Sequence, residues 1–455
     1  MRDLVFAIDV GTSSAKAGLL DPEGLILERS SESYAYTTPR PHHVELDFEM
    51  VWQKLSVATR RLLAGRRLPL RAVGLSVLCP GLVCLAEDGR PLRPALIHLD
   101  RRSVREARWA LARIGEERFL SVAANLPYPG GVSVTSMLWL REHEPEVYAR
   151  TRYFGHTNTF LAQRLTGQWG MDPSNASFTG LYKTLEYSDW DRELTRELGL
   201  DPERLPPIVA SAAVVGRVTE KASRDTGIPA GTPVVMGGGD TACAALGADV
   251  VEEGEILNAT GTVEVMQLST THPIPSPRYL IRTHVVPGKW LIMNIISTGG
   301  EAIDWIRREF YREMSREAFF ERYLPEILQR APTKVRMSPY LSGDRTSFQQ
   351  RSASFSGLTL SATRDDFLLA TCQALVRVMK SRYRHYETLW QPTGHIRCTG
   401  GGVHALLELK KRHFPGISWE EVSDATLKGA ARLAWMGCGT AGKPAGARLQ
   451  PYSGP

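Results

Sequence analysis

No Cys-x-x-Cys pair occurs in this chain of 455 residues. The six cysteines, Cys79, Cys84, Cys243, Cys372, Cys398 and Cys438, are scattered, and several sit in apolar runs. That spacing argues against a zinc site or a disulfide framework and for buried free thiols in a reducing compartment. No apolar run approaches bilayer-spanning length, and the chain starts on a strand-like run without a charged-then-apolar leader. The expectation is a cytoplasmic protein with no membrane partner. Basic residues exceed acidic ones, 55 to 49, for a net charge of +6. They are not clustered, however: the densest groups, Arg101-Arg102 and Lys410-Lys411-Arg412, are short and form no stripe interleaved with aromatics. No nucleic-acid partner is therefore expected. An attraction for small anions such as nucleotides is compatible with this charge. The first glycine-rich stretch, Asp9 to Lys16, has neither the phosphate-loop spacing Gly-x-x-x-x-Gly-Lys nor the dinucleotide fingerprint.

What is present describes a large enzyme. The length exceeds what one core usually supports, so two or three domains are expected. A hydrophobic share of 43% and a charged share of 23% are ordinary globular values. Leu4 to Val10 and Ala15 to Leu20 read as strands, and Asp21-Pro22-Glu23-Gly24 turns the second into a hairpin. Phe48 to Leu63 has helical spacing, with Met50, Leu55, Ala58, Leu62 and Leu63 available for one face. Val73 to Leu78 returns to strand, and Leu82 to Leu85 before Glu87-Asp88-Gly89 repeats the hairpin pattern. A similar cycle follows mid-chain: Glu255 to Thr262, Trp290 to Ile296, and a long helix from Phe367 to Leu389. The expected fold is α/β, mixed sheets covered by helices, in two similarly built halves.

Three glycine-rich strand endings carry the chemistry. The first is Asp9-Val10-Gly11-Thr12-Ser13-Ser14-Ala15-Lys16, the second Gly237-Gly238-Gly239-Asp240-Thr241, the third Cys398-Thr399-Gly400-Gly401-Gly402. Small residues let backbone N–H groups approach phosphate oxygens, hydroxyls add donors, and Lys16 adds a compact positive charge. Asp9 can hold a hydrated Mg²⁺. Thr260-Gly261-Thr262 is a weaker signal of the same kind. Asp240 is the candidate for the chemistry, and the position also suits a helix N-cap with Thr241 starting the helix.

The order of these loops resembles the FGGY family of carbohydrate kinases. Met137-Leu138-Trp139-Leu140, Arg164-Leu165-Thr166-Gly167, Asn175-Ala176-Ser177, Ser188-Asp189-Trp190 and Gly231-Thr232-Pro233-Val234 match it further. So do Pro339-Tyr340-Leu341-Ser342-Gly343-Asp344-Arg345-Thr346 and Phe355-Ser356-Gly357-Leu358. The resemblance covers nearly the whole chain. It implies an actin-like ATPase architecture, two ribonuclease-H-like domains with a cleft between them, here residues 1–243 and 244–440 before a tail 441–455. It also implies ATP, Mg²⁺ and a small sugar or polyol, and the family's frequent homodimer. Asp240 then becomes the base that accepts the substrate hydroxyl's proton, and phosphoryl transfer needs little beyond such positioning and charge neutralisation. Asp9 and Asp240 are carried over to the metal. Gly11, Thr12, Ser13, Ser14, Lys16, Gly261 and Thr262 are carried over to the phosphates, and Gly400, Gly401 and Gly402 to the adenosine. Leu78, Cys79, Asp100, Arg101, Asp240 and Thr241 are the expected substrate contacts.

The departures from the family concern the substrate and one phosphate loop. Where the family's xylulose kinases have Gln-Met-His-Gly, this chain puts Cys79-Pro80 at the Met-His position, and the Arg-Glu of glycerol kinases is missing too. The family's Gly-Thr-Ser-Gly is Gly261-Thr262-Val263-Glu264, which places a carboxylate near the expected phosphates, and the usual Gln-x-x-Ala-Asp run after Gly402 is absent. Trp139 suits packing better than a sugar platform. Glu301 suits either the cleft or the first turn of a helix. The expected activity is ATP-dependent phosphorylation of a ketopentose such as xylulose. The alternatives are a kinase of another polyol such as glycerol or erythritol, or a non-catalytic sugar or nucleotide sensor.

Overall fold

The apolar run Leu4–Val10 forms a strand buried along its whole length, as suits a strand covered on both faces. In the computed structural model, which describes residues 3–439 apart from 67, 262 and 402, this strand is central to a six-stranded sheet. On one side it pairs antiparallel with Ser14–Leu20, which pairs with Ile26–Ser33. The hairpin turns where Asp21-Pro22-Glu23-Gly24 requires it: Gly24 takes a φ of +83°, and the Asp21 carboxylate accepts the Leu25 N–H at 2.8 Å. On the other side the strand pairs parallel with Leu70–Val77, which pairs parallel with Pro233–Gly239. Val214–Arg217 closes the edge antiparallel.

Helix Phe48–Leu63 forms over the expected residues. Asp47 caps it, accepting the Glu49 N–H at 2.9 Å, and Leu55, Ala58, Leu62 and Leu63 are buried. A second cover comes from the far end of the chain. Helix Ala425–Gly437 lies so close to the sheet that a β-carbon on Gly74 would fall 2.0 Å from the Ala430 carbonyl oxygen. It also meets helix Asp240–Gly247, where a β-carbon on Gly429 would fall 1.8 Å from the Cys243 carbonyl. The described residues from Asp424 onward therefore join the first compact unit, with those up to Val251 and Thr271–Leu291. The second unit is Glu252–Thr270 with Ile292–Ser423. The units thus interleave along the chain and do not follow one cut after residue 243, because the final helix finds its apolar partner on the Leu4–Val10 sheet.

In the second unit Ile256–Thr260 pairs antiparallel with Glu264–Thr270 and parallel with His395–Thr399, which pairs parallel with Ser418–Glu421. Trp290–Ile296 lies beside Glu264–Thr270. The long helix runs Arg364–Leu389, three residues earlier than expected, because Thr363 and Asp366 form a capping box ahead of the apolar face. Its buried Tyr386 hydroxyl reaches the Met266 and Ile292 carbonyls at 3.0 and 2.8 Å. All six cysteines are free and five are buried. Burial pushes the Cys84 and Cys372 thiols up to about 12. Among the described residues no helix is long and apolar enough to cross a membrane.

Candidate active site

Three chain segments leave the carboxyl ends of neighbouring strands in the first unit's sheet. Leu4–Val10, Leu70–Val77 and Pro233–Gly239 are adjacent and parallel, with Asp9 opposite Ser76, and Ser76 opposite Gly238. At one strand spacing of about 4.8 Å per step, the first and third strand ends lie roughly 10 Å apart. Ligands of open α/β sheets bind beyond such carboxyl ends.

Asp9 is 4% exposed, and its carboxylate is oriented by two hydroxyls, Ser76 at 2.8 Å and Thr426 at 2.9 Å. Lys16, opposite Asp9 in the hairpin register, places its ammonium 3.7 Å away. The loop Gly11–Ser14 is closed by a Gly11 N–H to Ser14 carbonyl bond of 2.9 Å. Tyr34 holds it from below, its hydroxyl 2.6 Å from the Gly11 carbonyl and 3.0 Å from that of Ser14. Burial, then the Asp9 charge, drives the Tyr34 pKa up, so it serves as a neutral donor. Thr12 and Ser14 are half-buried and Ser13 is exposed.

Asp240 is the first residue of helix Asp240–Gly247, and Gly239 occupies the cap position. That corrects the N-cap expectation: the chain is already helical at Asp240, whose carboxylate accepts the Thr241 N–H at 2.7 Å. The half-buried Asp240 has strong support beneath it. Arg282, fully buried, donates to the Thr241 hydroxyl at 2.5 Å and to the Ser174 carbonyl at 2.8 Å. The Ser174 hydroxyl donates to Asp172 at 2.5 Å and accepts the Gly239 N–H at 3.0 Å. Asp172 also accepts from Asn158 at 2.7 Å and Asn175 at 2.6 Å. Desolvation raises the Asp172 pKa, against the pull of Ser174, Asn175 and Arg282.

The expected substrate residues divide into two groups. Leu78 is fully buried in the apolar core, and its N–H donates to the Val10 carbonyl at 2.7 Å. Cys79 is 7% exposed, with its sulfur 3.8 Å from His156 Nδ1. The other ring nitrogen of His156 lies 2.7 Å from the Ser133 hydroxyl, and burial lowers the His156 pKa to about 3, so the ring is neutral. Asp100, 1% exposed, accepts the Val44 N–H at 2.7 Å and pairs with Arg102, whose side chain is 2% exposed. The ion pair is therefore buried. Arg102 also pairs with Glu45 and stacks over Trp139, which is further contacted by His143 at 4.9 Å, Arg93 at 5.9 Å and His43 at 6.1 Å. Trp139 is a packing aromatic. Arg101 is buried, donating to the Pro129 carbonyl at 3.1 Å.

The second unit brings its glycine loops together at the ends of two parallel strands, with Ala259 opposite Thr399. Gly400 has a φ of +107°, and a β-carbon there would fall 2.3 Å from the Thr260 carbonyl. A β-carbon on Gly261 or Gly401 would meet nothing within 4 Å. Thr262 and Gly402 lie outside the described residues. The Gly300 N–H donates to the Gly261 carbonyl at 2.8 Å, at the start of helix Gly300–Phe310. Glu301 falls in that first turn and pairs with Arg308 at 2.7 Å. Glu264 is not a bare charge among phosphates: it is 2% exposed and paired with the equally buried Lys410 at 2.8 Å.

The two carboxylates expected at magnesium, Asp9 and Asp240, stand at the carboxyl ends of the first and third of the parallel strands. Among the described residues the only three-ligand cluster is Glu106, Glu142 and His143, which includes neither. One or two carboxylates completed by waters and substrate phosphates is the usual magnesium arrangement.

The model of the FGGY family of carbohydrate kinases, N-terminal domain, matches residues 4–247, just over half of the chain. The chain belongs to this family. As an FGGY kinase it is a phosphotransferase acting on carbohydrate, and the family implies ATP as donor. A xylulose kinase of Staphylococcus xylosus is 28% identical over 445 residues, covering 95% of this chain and 90% of that protein. An autoinducer-2 kinase of Klebsiella pneumoniae is 30% identical over 320 residues, covering 68% of this chain and 59% of that protein. The solved ligand-bound xylulose kinase of Lactobacillus acidophilus superposes with a TM-score of 0.85 at 19% identity, covering 97% of this chain and 91% of that one. The fold is thus the actin-like α/β ATPase fold of the FGGY kinases.

Sequence reasoning missed Tyr34, Asp172, Arg282, His156 and Lys410. Asp172 had a signal, since it lies three residues before the Asn175-Ala176-Ser177 run that resembles the family. Arg282 had none, lying 42 positions after Asp240 in an unremarked strand.

Proposed function

We propose that this FGGY kinase transfers the γ-phosphoryl group of ATP to a hydroxyl of a ketopentose such as xylulose. Asp240 accepts the proton of the attacking hydroxyl, and the Thr241 N–H and the Arg282-held first turn fix its carboxylate. Lys16 and the Gly11–Ser14 backbone form the first unit's phosphate loop; in the second unit Gly261 serves phosphate, and Gly400 and Gly401 serve the adenosine. Asp9 and Asp240 hold magnesium, which when bound neutralises phosphate charge. The observation that carries this reading is the common register of the Asp9, Ser76 and Gly238 strand ends. It sets phosphate loop, Cys79 loop and Asp240 side by side. The substrate assignment rests on the Staphylococcus xylosus relative, which matches along almost its whole length.

The test is coupled ADP release with Mg-ATP against D- and L-xylulose, ribulose, fructose, glycerol and erythritol, beside Asp240→Asn. Turnover on xylulose that falls by about 10²–10⁴-fold in the variant is the expected result. Turnover on another member of the panel would reassign the substrate. Bound ATP with no turnover on any compound would favour the sensor.

A further inference from the structure

A departure from the family pattern meets a residue far away in sequence inside the second unit. The departure is Glu264, at the end of the Gly261–Val263 loop; the other residue is Lys410, in the helix Val403–His413 that follows the Gly400–Gly401 loop. The Lys410 ammonium donates to three oxygens: Asn258 Oδ1 at 2.6 Å, the Thr260 hydroxyl at 2.7 Å and Glu264 Oε1 at 2.8 Å. Asn258 closes the cluster, donating to the same Glu264 oxygen at 2.7 Å and to the Val265 carbonyl at 3.0 Å. The second Glu264 oxygen is buried and has no hydrogen-bond partner among the described residues.

This cluster sits where three backbone segments touch. A β-carbon on Gly299 would fall 2.7 Å from the Glu264 nitrogen, and one on Gly400 would fall 2.3 Å from the Thr260 carbonyl. Thr260 and Glu264 bracket the Gly261–Val263 loop, whose Gly261 N–H donates to the Val263 carbonyl at 2.9 Å. One ammonium therefore ties both ends of that loop to the helix following Gly400–Gly401. It also cancels a carboxylate that would otherwise stand uncompensated beside a phosphate-binding loop.

We infer that Lys410 and Glu264 form an internal charge-compensated brace, with Lys410 a positioning residue that makes this loop usable for an anionic nucleotide. The inference rests on the proposed nucleotide role of Gly261 and Gly400–Gly401. The two charges then have opposite effects. Lys410→Met bares a carboxylate toward the phosphates, whereas Glu264→Gln leaves a cation there.

The experiment is titration of the full chain with Mg-ADP, with adenosine as the uncharged comparison, on wild type, Lys410→Met, Glu264→Gln and the double variant. Unfolding midpoints are measured on each. We expect Lys410→Met to weaken Mg-ADP by about tenfold or more, and adenosine distinctly less. Glu264→Gln should bind Mg-ADP at least as tightly as wild type, and the double variant should recover to within about threefold. If Lys410→Met does not fold, the sign of the Glu264→Gln effect decides: weaker Mg-ADP binding overturns the inference. Equal Mg-ADP affinity in Lys410→Met and wild type, or a double variant as weak as the single, overturns it too. A wild type that binds no nucleotide would refute the proposed function itself, and this inference with it.

Discussion

Lowering the pH from 7 to 5 should destabilise the first unit through two buried histidines. His156 and His284 are both fully buried, and desolvation lowers their pKa values to about 3 and about 4. Burial keeps His284 neutral against the upward pull of the Val250 carbonyl, which Nε2 faces at 3.0 Å, while Nδ1 accepts the Val286 N–H at 3.1 Å. Released into the unfolded chain, each ring titrates near 6.5, so the unfolded state binds more protons at acid pH. With folded values below unfolded ones, the stability is present above about 6.5 and is lost as pH falls from there toward 3 to 4. Between pH 7 and 5 each ring should cost about 2 kcal/mol, or about 4 kcal/mol together. That is a large share of a typical total of about 5–15 kcal/mol.

The assay is urea unfolding by far-ultraviolet circular dichroism at both pH values, for wild type and His156→Gln. Other titrating groups contribute equally to both proteins, so the difference in pH response isolates His156. The variant should lose about 2 kcal/mol of the pH dependence while carrying a constant penalty for the altered contact with Ser133. An unchanged pH response in His156→Gln would show that the ring is already charged or solvated in the fold, refuting the reasoning.

Two further outcomes follow from the support of Asp240. Gly237 has a φ of +70°, and a β-carbon there would fall 1.8 Å from the Leu75 carbonyl. Gly237→Ala should therefore cost about 3 kcal/mol or more, read as a lowered unfolding midpoint, and a stability equal to wild type would mean the strands can separate. Arg282→Met removes the donors to Thr241 and Ser174 without touching substrate. It should lower kcat by roughly 10–100-fold with sugar KM changed far less, and a pure KM effect would argue that Arg282 supports substrate binding instead.

Much of the fold was legible because its signals are local. Leu4–Val10, Phe48–Leu63 and Trp290–Ile296 follow from continuous apolar runs or helical spacing, and the Asp21–Gly24 turn from residues that favour that geometry. The start of the long helix was missed by three residues because the capping box at Thr363 and Asp366 precedes the apolar pattern. The glycine-rich strand endings were legible as such, and their order pointed to the family.

The amino-acid order by itself determined which strands end in glycine, which acid follows them and what family they resemble, since each is a property of neighbouring residues. Only the tertiary structure decided what surrounds those acids. Ser76 and Thr426 orient Asp9 from positions 67 and 417 residues away, and Arg282 braces the first turn after Gly239. Glu264, conspicuous as a misplaced charge in the linear chain, became half of a neutral pair once Lys410 was folded against it. A buried charge needs a partner at hydrogen-bond distance, and which residue can come that close depends on how strands and helices pack. The placement of helix Ala425–Gly437 on the first unit's sheet has the same cause, because an apolar face goes to whichever surface buries it.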